Sequence, residues 1–178
     1  MGANTSDLRV EEIDELSQET HLRKSEIVRL YQRFKRLDKE GYGTISTDAF
    51  LSVPELSMNP LVMRVIRVFD VNNDDNVNFR QFAKTLAVLS KNAPSEQKME
   101  LVFKVLDLDN DGFITQQDIE QVLKMMIGSQ IISPHDLERI AAETVREYDS
   151  TGDGKITFAE FKDVLGDVDW DQKLTIEF

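Results

Sequence analysis

Residues 107–118 read Asp-Leu-Asp-Asn-Asp-Gly-Phe-Ile-Thr-Gln-Gln-Asp, and residues 149–160 read Asp-Ser-Thr-Gly-Asp-Gly-Lys-Ile-Thr-Phe-Ala-Glu. Oxygen-bearing side chains recur at positions 1, 3, 5 and 12, the spacing with which a twelve-residue loop wraps a hard divalent cation. The first loop offers Asp107, Asp109, Asp111 and Asp118, with the backbone carbonyl of Phe113 from position 7. The second offers Asp149, Thr151, Asp153 and Glu160, with the carbonyl of Lys155. Gly112 and Gly154 stand at position 6, where the sharp turn needs a positive φ. Two Ca2+ sites are expected. Glu160 can bind with both oxygens, which makes 149–160 the better calcium loop, although the Thr151 hydroxyl is a neutral and weaker donor. Asp118 is one methylene shorter than the usual glutamate and favours six-coordination, so Mg2+ is expected to compete at 107–118.

These loops need helices to hold them. Met99, Val102, Phe103 and Leu106 lead into the first, and Ile119, Val122, Leu123 and Met126 leave it at helical spacing. Ile140, Ala141, Thr144, Val145 and Tyr148 enter the second, and Phe158, Phe161, Val164 and Leu165 follow it. Ser133-Pro134 with Asp136 forms a helix start with a serine cap. Ile114 and Ile156, at position 8, predict a short two-stranded contact between paired loops.

The two loops begin 42 residues apart, and weaker relatives lie upstream at 38–49 and 70–81. The stripe Ile27, Leu30, Tyr31, Phe34, Leu37 enters the loop at 38–49. The chain therefore reads as four helix-loop-helix repeats of the EF-hand type. The fold class expected is all-α in two lobes, each a pair of such motifs with short two-stranded loop contacts. The N-terminal lobe spans 1–91, and the C-terminal lobe spans 92–178 with a tail at 166–178. Residues 90–96, polar and containing Pro94, mark the break. The loop at 38–49 has lost its site: Tyr42 holds position 5 and Ala49 position 12. The loop at 70–81 keeps Asp70, Asn72 and Asp74, but has Asp75 at position 6 and the neutral Gln81 at position 12. It is expected to be a structural partner.

The formal net charge is −12, which argues against nucleic acid as a partner. Residues 1–91 carry 13 Lys/Arg against 14 Asp/Glu, and residues 92–178 carry 8 against 19. The excess acid therefore sits with the two good loops, where a cation would relieve the repulsion among carboxylates. The chain has no cysteine, which excludes disulfides, thiolate metal sites and cysteine nucleophiles. No apolar run is long enough to span a bilayer and no secretory leader is evident, so a cytoplasmic protein is expected. The carboxylates are accounted for by ligand positions, and His21 and His135 sit in polar contexts, so no enzymatic activity is expected. Arg29, Arg33, Lys35 and Arg36 are expected to form a solvated face.

Pro54–Ile66 (Pro-Glu-Leu-Ser-Met-Asn-Pro-Leu-Val-Met-Arg-Val-Ile), Gln121–Gly128 and Met1–Ser6 resemble the calcineurin B family over nearly the whole chain. That family comprises the regulatory subunit of the calcium-dependent serine/threonine phosphatase and the calcineurin B homologous proteins. The short connector around Pro94 resembles the former. The weakened loops at 38–49 and 70–81, Val77–Arg80 and the ending Asp171–Phe178 resemble the latter. The resemblance implies a calcium-binding regulatory subunit that holds and stabilises an amphipathic helix of a phosphatase catalytic subunit. The alternative is a juxtamembrane helix of a sodium/proton exchanger. A second alternative is a calcium buffer, which needs no partner groove.

Met125 and Met126 with Leu123, Ile127, Val164 and Leu165 are candidate groove residues in the C-terminal lobe. Leu61, Val62, Val65 and Ile66 are candidates in the N-terminal lobe. Met1-Gly2 with Ser6 fits the N-myristoylation pattern at Gly2, which the family resemblance strengthens. Peripheral membrane contact through that chain would be marginal. The tail from Leu174 to Phe178 alternates apolar and polar residues as an extended strand does, and is expected to rest in or beside the second groove.

Overall fold

The computed structural model describes residues 8–128 and 131–174. Gly2, the rest of Met1–Ser6, and the tail beyond Leu174 lie outside the described residues. The chain divides into two units. One holds the described residues up to Ser95 together with those after Trp170, and the other spans Glu96–Trp170. Of the tail at 166–178, residues 166–170 belong to the second unit, and those described after Trp170 group with the first.

The first unit opens with α1 (Val10–Glu19) and α2 (Lys24–Leu37). It continues with β1 (Thr44–Ser46), α3 (Thr47–Leu51), α4 (Pro54–Ser57), α5 (Val62–Phe69), β2 (Asn76–Asn78) and α6 (Phe79–Val88). The stripe read in α2 is its inward face: Ile27, Leu30 and Phe34 are buried. The basic residues Arg29, Arg33, Lys35 and Arg36 are exposed on the other side. α4 starts on Pro54, whose missing N–H costs nothing in a first turn. β1 and β2 pair antiparallel with Ile45 opposite Val77, and both side chains enter the core. Edge-on aromatic contacts hold that core, Phe34 with Phe79 at 5.4 Å and with Phe82 at 5.7 Å.

The second unit runs through α7 (Ser95–Leu106), β3 (Phe113–Thr115), α8 (Gln116–Ile127), α9 (Pro134–Tyr148), β4 (Lys155–Thr157) and α10 (Phe158–Leu165). The last helix among the described residues is α11 (Trp170–Leu174). β3 and β4 pair antiparallel with Ile114 opposite Ile156, as position 8 predicts. Phe103 meets Phe158 and Phe161 edge-on, each at 5.5 Å. The Ser133 hydroxyl caps α9 by accepting the Asp136 N–H at 3.1 Å.

Leu174 does not open an extended tail but closes α11. Just before it Trp170 is buried, and its indole N–H donates to the Leu165 carbonyl at 3.1 Å. The groove expected in the first unit is corrected in part: Val62 and Ile66 are core residues, with Leu61 and Val65 half-buried. In the second unit Met125, Met126, Ile127 and Val164 are exposed, and Leu123 and Leu165 are half-buried.

Candidate metal centre

One backbone frame recurs in all four loops. The position-1 aspartate accepts the N–H groups of positions 5 and 6. For Asp38 these are Tyr42 at 3.0 Å and Gly43 at 2.8 Å. For Asp70 they are Asp74 at 3.2 Å and Asp75 at 2.8 Å. Asp107 accepts from Asp111 at 3.2 Å and Gly112 at 2.9 Å. Asp149 accepts from Asp153 at 3.3 Å, from Gly154 at 2.7 Å, and also from Gly152 at 2.7 Å.

Positions 4 and 6 both lie in the left-handed region. Glycine supplies this most easily, yet Asn73 (φ 54°), Asp75 (φ 59°) and Asn110 (φ 58°) adopt it too. Short polar side chains tolerate that region best among non-glycine residues. Asp75 thus gives 70–81 the same turn as its neighbours. The requirement at position 4 escapes sequence reading, because no metal-ligand pattern flags it.

The loops differ in what hangs on this frame. In 107–118, Asp107, Asp109 and Asp111 each direct an oxygen to one point, all within 4.8 Å of one another. Asp107 is buried. Burial pushes its carboxyl above the usual range, N–H groups from the loop pull it back, and the Asp111 charge adds to the upward push. A buried carboxylate beside like charges is a group that a divalent cation would stabilise. Asp118 ties the two ends of the loop together. One oxygen accepts the Leu108 N–H at 3.1 Å, and the other accepts the Thr115 N–H at 2.8 Å and its hydroxyl at 2.5 Å.

Glu160 has the same part in 149–160 and reaches further. One oxygen accepts the N–H groups of Ser150 at 3.0 Å and Thr151 at 3.1 Å, and the Ser150 hydroxyl at 3.0 Å. The other accepts the Thr157 N–H at 2.9 Å and its hydroxyl at 2.8 Å. These bonds, the Thr157 N–H foremost, bring its pKa down to about 2. Thr151 donates its hydroxyl to Asp149 at 3.1 Å, and the Asp153 side chain accepts the Lys155 N–H at 3.1 Å. Asp149 is also held low, chiefly by the Gly154 N–H.

The position-9 threonines are site residues that the ligand pattern does not single out. Thr115 and Thr157 cap the exiting helices α8 and α10 and fix the position-12 carboxylates. The signal for them in the sequence is a capping box, Thr-x-x-Asp and Thr-x-x-Glu.

The donor sets at 107–118 and 149–160 fit a hard divalent cation: anionic or neutral oxygens on a preformed turn, closed by a carboxylate at position 12. The upstream loops lack that closing carboxylate. Ala49 contributes no oxygen. Gln81 uses its side-chain oxygen to accept the Asn78 N–H at 2.8 Å in a capping box.

Comparison with known proteins agrees with this geometry. Residues 96–165 match the EF-hand domain pair. The chain is similar to the calcineurin B protein of Naegleria gruberi, 48% identical over 176 residues and 99% of each chain. It is 45% identical to the type 2 calcineurin B protein of Dictyostelium discoideum, over 93% of this chain and 90% of the relative. The type 2 calcineurin B protein of Rattus norvegicus is 40% identical, over 88% and 89%. With two carboxylate loops on a paired frame and relatives of this identity over nearly its whole length, the chain belongs to the calcineurin B family of calcium-binding, EF-hand regulatory subunits.

Proposed function

We propose that the chain is the regulatory subunit of a calcineurin-type serine/threonine phosphatase and holds an amphipathic helix of the catalytic subunit. Calcium is bound in the second unit, at 107–118 and 149–160. A bound ion there supplies positive charge that neutralises the clustered carboxylates and fixes the angle between entering and exiting helices. The chain's own residues do the rest. Asp118 and Glu160 link loop start to exiting helix, so a change at either end is transmitted to α8 and α10.

The observation that carries the partner reading is the exposure of Met125, Met126, Ile127 and Val164 in one unit, flexible apolar surface of the kind that receives a helix. The chain acts through its partner rather than by catalysis of its own. A cytoplasmic location fits the absence, among the described residues, of any helix long and apolar enough to cross a membrane. Myristoylation of Gly2 would add peripheral membrane contact and is checked by mass spectrometry of the N-terminal peptide.

The purified full chain should bind a calcineurin catalytic subunit and raise its phosphatase activity in calcium. Met126→Asp should weaken that binding about tenfold or more, the effect of placing a charge in an apolar contact. Intact binding by Met126→Asp would overturn the placement of the helix. The neutral Gln81 and Ala49 favour a second reading, with an exchanger's juxtamembrane helix as partner. Binding of that helix in preference to the phosphatase's catalytic chain would establish it.

A further inference from the structure

Lys155 is the only Lys or Arg within the two twelve-residue loops 107–118 and 149–160, against seven carboxylates. Its backbone belongs to one site: its N–H donates to Asp153, and its carbonyl is the position-7 donor. Its side chain turns toward the other. The ammonium lies 4.6 Å from the ring centroid of Phe113, the position-7 residue of 107–118. The pairing of β3 with β4 makes this reach diagonal, since Lys155 stands opposite Thr115 and Phe113 opposite Thr157. Phe113 in turn donates its N–H to Asp111 at 2.9 Å. Among the described residues no carboxylate lies within ion-pairing distance of the Lys155 ammonium. A ring face attracts a cation but does not neutralise it. Among the described residues the positive charge is therefore without an ion-pair partner, and it is held beside the strand pair that joins both loops.

We propose that Lys155 is an affinity-setting residue for both cation sites, acting on its own loop and, from its seat on Phe113, on the loop across the strand pair. The inference rests on calcium binding at both loops. The fixed ammonium relieves carboxylate repulsion in the ion-free protein and repels the incoming ion, and both effects weaken binding. Because Lys155 is exposed, salt screens the effect.

Calcium titration calorimetry on the full-length chain tests this. Lys155→Gln should tighten calcium binding at both sites about three- to tenfold at low ionic strength, and less at about 0.5 M KCl. Lys155→Arg, which keeps the charge, should bind as the unaltered chain does. In a Glu160→Gln background, which disables 149–160, Lys155→Gln should still tighten 107–118. Adding Phe113→Leu to that background should reduce the gain, because the ammonium is no longer held on the ring. If the unaltered chain binds two ions but Lys155→Gln leaves 107–118 unchanged, the cross-strand role is wrong and the site assignment stands. A Lys155→Arg chain that binds as tightly as Lys155→Gln would show that charge is not the cause. An unaltered chain that takes up no calcium would overturn both the sites and this inference.

Discussion

Asp118 and Glu160 occupy the same position and differ by one methylene, and that difference decides how far each carboxylate reaches. Asp118 gives one oxygen to the Leu108 N–H alone, whereas the equivalent oxygen of Glu160 gathers two N–H groups and a hydroxyl. Asp118→Glu should restore bidentate reach and shift 107–118 toward calcium over magnesium by about tenfold, read by calcium titration with and without magnesium. An unchanged ratio would mean that the loop, not the side chain, sets selectivity. Glu160 also predicts a pH dependence of the calcium-free fold. Its folded pKa of about 2 lies below the ordinary 4.5, so its contribution is fully present above about pH 4.5 and is lost as pH falls toward 2. Asp107 has the opposite sign. Its raised carboxyl opposes the ion-free fold above the ordinary carboxylate range and ceases to do so once protonated. Urea unfolding of Glu160→Gln in chelator should therefore show a flatter acid limb than the unaltered chain.

α1 illustrates what an element owes to packing and what to charge. Lys24 pairs with Asp14 at 2.6 Å, Lys84 with Glu19 at 2.8 Å, and Arg80 with both Glu15 and Glu19. All of these groups are substantially exposed, so each pair contributes about 1 kcal/mol or less. Leu16, by contrast, is buried in the core of the first unit. Leu16→Ala should cost about 2–5 kcal/mol and Arg80→Ala no more than about 1 kcal/mol, measured by denaturant unfolding of the first unit. The reverse order would make α1 an electrostatic element. Much of this was legible in sequence. The stripe in α2, the serine cap of α9 and the apolar position 8 of the loops at 107–118 and 149–160 all appear as read, because each depends on local spacing. The apolar run in α5 was not separable into core and surface. Val62 and Ile66 are buried while Met63 is exposed, and which face points inward depends on partners distant in sequence. The shared loop frame was hidden for another reason: it is built from N–H groups and left-handed backbone, which Asn and Asp can supply as well as Gly.

At the scale of the whole molecule, each unit has a loop pair on the same hydrogen-bonded frame, but only one pair closes with carboxylates at position 12. In the first unit the position-1 aspartates are satisfied by N–H groups, and Gln81 closes its loop as a neutral cap. Asp70 is as buried as Asp107, so what sets the first unit apart is the missing carboxylate at position 12 of both its loops. The charge follows the same division, with 19 of the 33 carboxylates in residues 92–178, opposed by only 8 Lys/Arg. Calcium should therefore stabilise the units unequally. At a free concentration one hundred times the dissociation constant, one site adds about 2.7 kcal/mol to the state that binds it. Chelation should then speed hydrogen exchange of core amides in α7–α10 and β3–β4 by about a hundredfold per site where exchange needs that unit to open. Amides of β1, β2 and α2 should change little. Equal deprotection of both units would show that a loop in the first unit also holds metal. Because 70–81 has the correct turn and lacks chiefly its closing carboxylate, Gln81→Glu should create that response in the first unit, without altering the second.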